Sequence, residues 1–241
     1  MTHPAPSSSP TGLRLAVSIT ALLAGVSGCV DVVSLVYAEV FVANQTGNLV
    51  VVAASSLSDG NRVWLALTAL IAFTVGVLLA AVGRRGLRTR FGQRAARETL
   101  LVVEVVLVVV AGVLVWRDPL ATHPRLLLPI GLLALAQGIQ AVLLTRLLGR
   151  GVRTVAVTGP LTDAIVGSVE AAGTPRAERD PARRGLMRIA IATPAGYALG
   201  AALGALVVRT GLHLGLAVGV VLALVAAVLA RRVERHGLDL A

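Results

Sequence analysis

The sequence predicts an all-α membrane protein: about six transmembrane helices plus two re-entrant or broken helices, arranged as two inverted-topology three-span repeats. Three observations predict it. Of 241 residues, 56% are hydrophobic and only 14% charged, with a mean hydropathy of +0.85, whereas a soluble domain carries about a quarter charged residues. Apolar runs near the length that crosses ~30 Å of hydrocarbon recur along the whole chain. The arginines gather in some of the linkers between those runs and avoid others.

The elements follow in order. Residues 1–12 are rich in Pro and Ser and are expected to form a disordered tail. Apolar segments lie at about 13–38, 41–57, 63–82, 99–116, 126–148, 154–172, 186–208 and 214–230. The linker 84–98 carries Arg84, Arg85, Arg88, Arg90, Arg94 and Arg97, which assigns it to the cytoplasmic side. The C-terminal stretch 231–241, with Arg231, Arg232 and Arg235, is assigned to the same side. Linkers 146–153 and 173–185 are both Arg-rich, so segment 154–172 between them enters and leaves on that face. Linkers 58–62 and 209–213 carry one Arg each, and 117–125 carries two beside Asp118. Eight full crossings would leave the six-arginine linker outside. Six crossings with 41–57 and 154–172 re-entrant satisfy every linker. The expected protein is multi-pass in a bacterial cytoplasmic (inner) membrane, both termini cytoplasmic, with one membrane repeat over 13–116 and a second over 126–230.

A weak internal repeat supports the division. Gly28 to Leu49 reads GCVDVVSLVYAEVFVANQTGNL, and Gly138 to Leu161 reads GIQAVLLTRLLGRGVRTVAVTGPL. Each places a glycine on a span and then Thr-Gly-x-Leu after a gap. Farther on, AFTVG at 72–76 matches GYALG at 196–200. Three spans per half is an odd number, so the halves face opposite ways, a construction that recurs among secondary transporters.

The polar run Asn44-Gln45-Thr46-Gly47-Asn48 interrupts two apolar segments. It reads as the start of a half-helix inside the membrane, with Thr46 as its cap and Gly47 as the bend before it. Thr158 and Gly159 repeat that pattern, with Pro160 suited to a first helical turn. Such half-helix starts offer free amides and partial positive charge toward a midplane site. The alternative is an ordinary cap at the membrane surface. Asp31, inside the first span, reads either as a helix-joining structural acid or as a carboxylate handling a proton or cation. Asp163, on the second re-entrant piece, is a second acidic candidate. Gln137 and Gln140 lie near the corresponding level of the repeat and suit interhelical hydrogen bonds. Glu104, five residues into its apolar run, is expected to snorkel to the interface, and Glu39 ends the first span. The candidate substrate-binding set is Asp31, Asn44, Thr46, Gly47, Asn48, Gln140, Thr158, Gly159 and Asp163.

Other classes are excluded or disfavoured. The net charge of +10 comes wholly from arginine, since none of the 22 basic residues is Lys, and aromatics are 3%, which offers no stacking platform for nucleic acid. The four histidines (His3, His123, His213, His236) lie in the tail or linkers, so no metal site is expected. There is no zinc-protease, nucleophile-elbow or phosphate-loop pattern, so neither an enzyme nor a cofactor is expected. Val26-Ser27-Gly28-Cys29 imitates a lipoprotein cleavage box, but the apolar run continues past Cys29, unlike a mature lipoprotein. Gly200-x-x-x-Gly204 is a helix-dimerisation pattern that serves either inside a bundle or in a homo-oligomer.

The runs GCVDVVSL…EVFVANQTGN and ALAQGIQAVLL…VRTVAVTGPL resemble the YoaK-like family of bacterial inner-membrane proteins, whose function is unknown. The shared pattern falls on Gly28, Asp31, Phe41, Ala43, Asn44, Thr46, Gly47 and Asn48, and in the second half on Gly138, Gln140, Thr154, Thr158 and Gly159. Ala141 departs from it, standing where the family usually has Asn. The resemblance implies an integral membrane protein with about six spans and supplies no substrate.

Two functions are compatible: a small secondary transporter or permease for a polar solute or ion, or a non-transporting scaffold whose Thr-Gly turns are packing devices. The topology is checked directly by single-cysteine labelling on a Cys29→Ser background. Residues 84–98 and 173–185 should be inaccessible from the periplasm, so periplasmic labelling at Gly86 or Ala177 would remove the re-entrant scheme.

Overall fold

The computed structural model describes residues 10–57, 60–118, 122, 124–147, 158–172, 181–210 and 212–235. They form seven helices with no strand among the described residues: α1 (Pro10–Ala38), α2 (Gln45–Ser55), α3 (Gly60–Arg117), α4 (Leu127–Leu147), α5 (Thr158–Ala172), α6 (Pro181–Val208) and α7 (Leu212–Arg235). Valine-rich stretches such as LVVEVVLVVV favour strands in water. In hydrocarbon every backbone amide needs a partner from its own segment, and a helix supplies it.

By length and composition, Gly12–Ala38, Gly60–Arg117 and Met187–Val208 can each cross a membrane, while α4 and α7 hold the shorter apolar stretches Leu127–Leu143 and Leu216–Leu229. α2, at 11 residues, measures about 17 Å and cannot cross a bilayer alone. α5, at 15 residues, reaches about 23 Å.

Two boundaries differ from expectation. α1 starts at Pro10 rather than near residue 13, because Pro is well placed in a first helical turn, where its missing N–H has no partner to lose. The linker 84–98 is helical, and α3 runs 58 residues with a break at Gly92, whose φ of 85° and ψ of 169° suit only glycine. There the chain folds back: Ala80 shares a buried cluster with Leu100 and Leu101, and Leu65, Ala66 and Ala69 share one with Val108, Ala111 and Val115. Residues 1–9 of the expected tail 1–12, 148–153 of the linker 146–153, 154–157 at the start of segment 154–172 (Thr154 among them), 173–180 of the linker 173–185 and 236–241 of the C-terminal stretch 231–241 lie outside the described residues.

Glycines set the helix pairs. Going along α1 and α6 together, Gly196 lies on Ala21, Gly200 on Gly25 and Gly204 on Cys29, while Gly28 lies on the Tyr197 carbonyl. The two helices are therefore parallel and in near backbone contact. The N-terminal arm of α3 meets α4 in the same manner: Gly76 lies on the Leu135 carbonyl, and Gly138 on the Phe73 carbonyl and the Val77 amide. Without an apolar driving force between helices in lipid, small residues that let backbones approach are what holds such pairs. The Gly200-x-x-x-Gly204 pattern is thus occupied inside the chain, and Cys29 is buried beneath it.

A Cβ at Gly28, Gly76, Gly138 or Gly200 would overlap backbone atoms, whereas one at Gly83 meets nothing within 4 Å. Gly138→Val and Gly200→Val should therefore each cost at least ~3 kcal/mol, by forced separation of packed helices. Gly83→Val should be near neutral. Thermal unfolding in detergent checks the ranking, and equal midpoints for all three would refute it.

Candidate functional site

The first polar group surrounds the break between α1 and α2. α1 stops at Ala38, and Glu39 turns the chain with φ of 58°, a left-handed conformation uncommon for a non-glycine residue. Its carboxylate is ion-paired with Arg62 at the start of α3. The next residues have no helical partners for their amides, and Asp31 supplies them. Its Oδ1 accepts from the amides of Val42 (2.8 Å) and Ala43 (2.7 Å). Its Oδ2 accepts from the Asn44 amide (3.1 Å) and the Tyr197 hydroxyl of α6 (2.7 Å). Asp31 is 1% exposed, and its carboxylate is engaged by four of the chain's own donors.

Asn48 completes the clamp. Its Oδ1 accepts from the Phe41 amide at 2.9 Å, and its Nδ2 donates to the Phe41 carbonyl at 2.7 Å and to Gln45 Oε1 at 3.0 Å. Gln45 Nε2 donates in turn to the Val42 carbonyl at 2.8 Å. The cap of α2 is Asn44, whose side chain accepts from the Gly47 amide at 3.2 Å. Thr46 was expected to hold that place, but it lies in the first turn and is exposed. Asn reaches the third amide as well as Thr does, and it precedes the first helical residue. Gly47 is helical rather than a bend: a Cβ there would come within 2.7 Å of the Phe41 ring. Its smallness makes room for the aromatic side chain.

The second Thr-Gly turn is different. α5 starts at Thr158, whose side chain lies outside the described residues, and packs on α6. Gly159 and Asp163 are exposed, and a Cβ at Gly159 meets nothing within 4 Å. The bend expected at Gly159 is absent, because its φ is not left-handed. Asp31, Asn44, Gly47 and Asn48 are brought together; Thr46, Gly159 and Asp163 are not part of that cluster.

Gln140 belongs to a second polar group in the middle of the bundle. Ser27 on α1 and Gln137 and Gln140 on α4 are fully buried. Ser27 Oγ donates to Gln137 Oε1 (2.7 Å), and Gln140 Nε2 donates to Ser27 Oγ and to the Leu23 carbonyl (2.9 Å each). That leaves Gln137 Nε2 and Gln140 Oε1 without partners, together with both carboxyl oxygens of Glu104. Glu104 does not snorkel; its side chain is 0% exposed. One turn before it, Leu100 and Leu101 pack with Ile139 and Leu143. One turn after it, Val108 shares a cluster with Leu133 and Ala136. Glu104 is thereby set at the level of Gln137 and Gln140.

Four orphaned polar atoms at one level of a close-packed interior are unusual. They include three potential acceptors and one amide donor, so they suit a proton on Glu104, a cation, or a small polar guest. Ser27 and Glu104 were missed as site residues. The signal available for Ser27 was its place one residue before Gly28 on the helix face toward α4. Among the described residues, no three of His, Cys, Asp or Glu come together as a metal site.

The family of proteins of unknown function DUF1275 matches residues 19–229. The chain belongs to that family. It is the YoaK-like family to which the Gly-x-x-Asp and Thr-Gly-Asn motifs pointed. No curated protein and no solved structure matches.

Asp31→Asn keeps size and shape but turns a new amide donor toward the Tyr197 hydroxyl and the Asn44 amide. It should destabilise by ~1–3 kcal/mol, the cost of a buried donor without an acceptor. Tyr197→Phe removes one donor from an acceptor that keeps three others, and should cost about 1 kcal/mol. Unfolding midpoints of the two variants decide it, and a silent Asp31→Asn would contradict the clamp.

Proposed function

We propose that the chain is a small secondary transporter or permease-like protein of the cytoplasmic membrane, moving a polar solute or ion. Its six spans are α1, the two arms of α3, α4, α6 and α7, with α2 and α5 as the short re-entrant pieces and both termini cytoplasmic. The glycine contacts favour two inverted repeats. Gly28 on the Tyr197 carbonyl is matched by Gly138 on the Phe73 carbonyl. Gly200 on Gly25 is matched by Gly76 on Leu135. In both pairings the partners are the residues that the sequence repeat equates.

The observation that carries the function is Glu104: a carboxylate in the bundle interior whose two oxygens meet no partner, at the level of two glutamines with an orphaned atom each. An intramembrane acid is expensive and is retained where it handles ions, protons or solutes. No enzymatic step is assigned. The scaffold alternative draws support from Asp31 and Asn48, which are fully engaged in holding the first Thr-Gly turn. For that turn alone, a packing role is sufficient.

Proteoliposomes loaded with a pH-sensitive dye, screened against solutes and monovalent ions, test the proposal. Glu104→Gln should abolish coupled flux while leaving the unfolding temperature equal or higher, since a neutral amide removes a buried charge without changing volume. Absence of any flux from the wild type across the screen, with Glu104→Gln merely more stable, would favour the scaffold.

A further inference from the structure

A cavity of about 440 Å³ opens where α3 and α4 leave the apolar layer, lined by Ala81, Arg84, Arg85, Arg88 and Val142. Spacings of three and four residues put Ala81, Arg84, Arg85 and Arg88 on one helix face. Arg85 and Arg88 are both exposed on this wall and no acid is among the described lining residues, so the pair of guanidiniums selects an anion with several oxygens. The volume lies in the range of small-ligand sites.

The depth of the cavity identifies the source of that anion. Trp64 and Trp116 are exposed at the end of the two α3 arms away from Gly92, in the manner of aromatic residues at a membrane–water interface. From Trp64 to Arg84 is 20 residues along one helix, about 30 Å, which is the thickness of the hydrocarbon layer. The arginines therefore stand at the depth of lipid phosphates. Immediately below them, Leu78, Leu79 and Val82 are more than half exposed, and Leu78, Val82 and Arg85 follow one another up the same face. A cationic pocket continuous with an apolar stripe fits a molecule with a phosphate at one end and acyl chains at the other. We propose that this pocket binds the phosphate group of an anionic glycerophospholipid, with its acyl chains along Leu78 and Val82. Basic pockets between helices on the cytoplasmic side are suited to such head groups by charge and by position.

The test uses the full chain purified in neutral detergent and native mass spectrometry with added phosphatidylglycerol, phosphatidylcholine or inorganic phosphate. Phosphatidylglycerol should be retained by the wild type, and the Arg85→Gln/Arg88→Gln double variant should need at least ten-fold more lipid for equal occupancy. Arg117→Gln, an exposed arginine at the other end of α3, should behave as wild type. Equal retention of phosphatidylglycerol by the double variant, or equal retention of phosphatidylcholine by the wild type, would overturn the proposal. Displacement of the lipid by millimolar inorganic phosphate would also overturn it, marking a site for a free anion. A photoreactive phosphatidylglycerol provides a second measurement on unmodified protein. It should label the peptide containing residues 78–90, and labelling confined to other segments would refute the site even if the double variant failed to fold.

Discussion

A carboxylate that accepts three backbone amides and a phenol hydroxyl holds the stretch between α1 and α2 in its broken form. In a low-dielectric interior the amides of Val42, Ala43 and Asn44 cannot be left unpaired, and water is not at hand to pair them. Asp31 reaches them from two turns back in α1. The fourth donor comes from α6, so the same group that ends one helix also joins it to another. That arrangement depends on backbone distance. Gly28, one turn below Asp31, lies on the Tyr197 carbonyl, which fixes the height at which the Tyr197 hydroxyl meets the carboxylate.

Close approach of helix backbones extends the same constraint through the bundle. Ala21, Gly25 and Cys29 on α1 face Gly196, Gly200 and Gly204 on α6 at successive turns. Gly76 and Gly138 do the same for α3 and α4. Because these contacts involve carbonyls and α-carbons rather than flexible side chains, the pairs have almost no freedom to slide. The side chains packed around them, Val26, Val30, Ile130 and Leu133 among others, are correspondingly buried.

Much of this was legible in the sequence, for physical reasons specific to hydrocarbon. Apolar length is a strong signal when the solvent is a slab of fixed thickness, and the Thr-Gly-Asn run marked the break before α2 correctly. The cap was misassigned by two residues because Asn44 and Thr46 are both competent caps, and only the phase of the helix separates them. Glu104 was misjudged because its apolar run was equated with the membrane boundary. α3 is helical from Gln93 onward, so Glu104 lies twelve residues past Gly92 and twelve before Trp116, about 18 Å from each. The equivalence of the two Thr-Gly turns also looked better in sequence than in space. Gly47 is confined by the Phe41 ring while nothing confines Gly159, and no one-dimensional pattern records a ring packed six residues away.

Asp31 and Glu104 are both buried acids on apolar helices, and their surroundings separate them chemically. Asp31 has four donors in place and gains nothing from a guest. Glu104 has none, and Gln137 and Gln140 at its level each keep one atom unused. A structural acid left in that condition would be replaced without loss by an apolar residue of similar size, since an unpaired buried carboxyl destabilises the fold that holds it. On the proposed pairing of the halves, the contrast sharpens. Ala141 stands where Asp31 does, and Phe73 where Tyr197 does, so the second half has an apolar pair in place of the acid–phenol pair. The buried polar side chains described on α4 lie instead at Gln137 and Gln140, hydrogen-bonded to Ser27. The bundle thus combines a fully hydrogen-bonded joint in one place with an incomplete polar cluster in another, and it is the incomplete cluster that keeps hydrogen-bonding capacity the fold does not use.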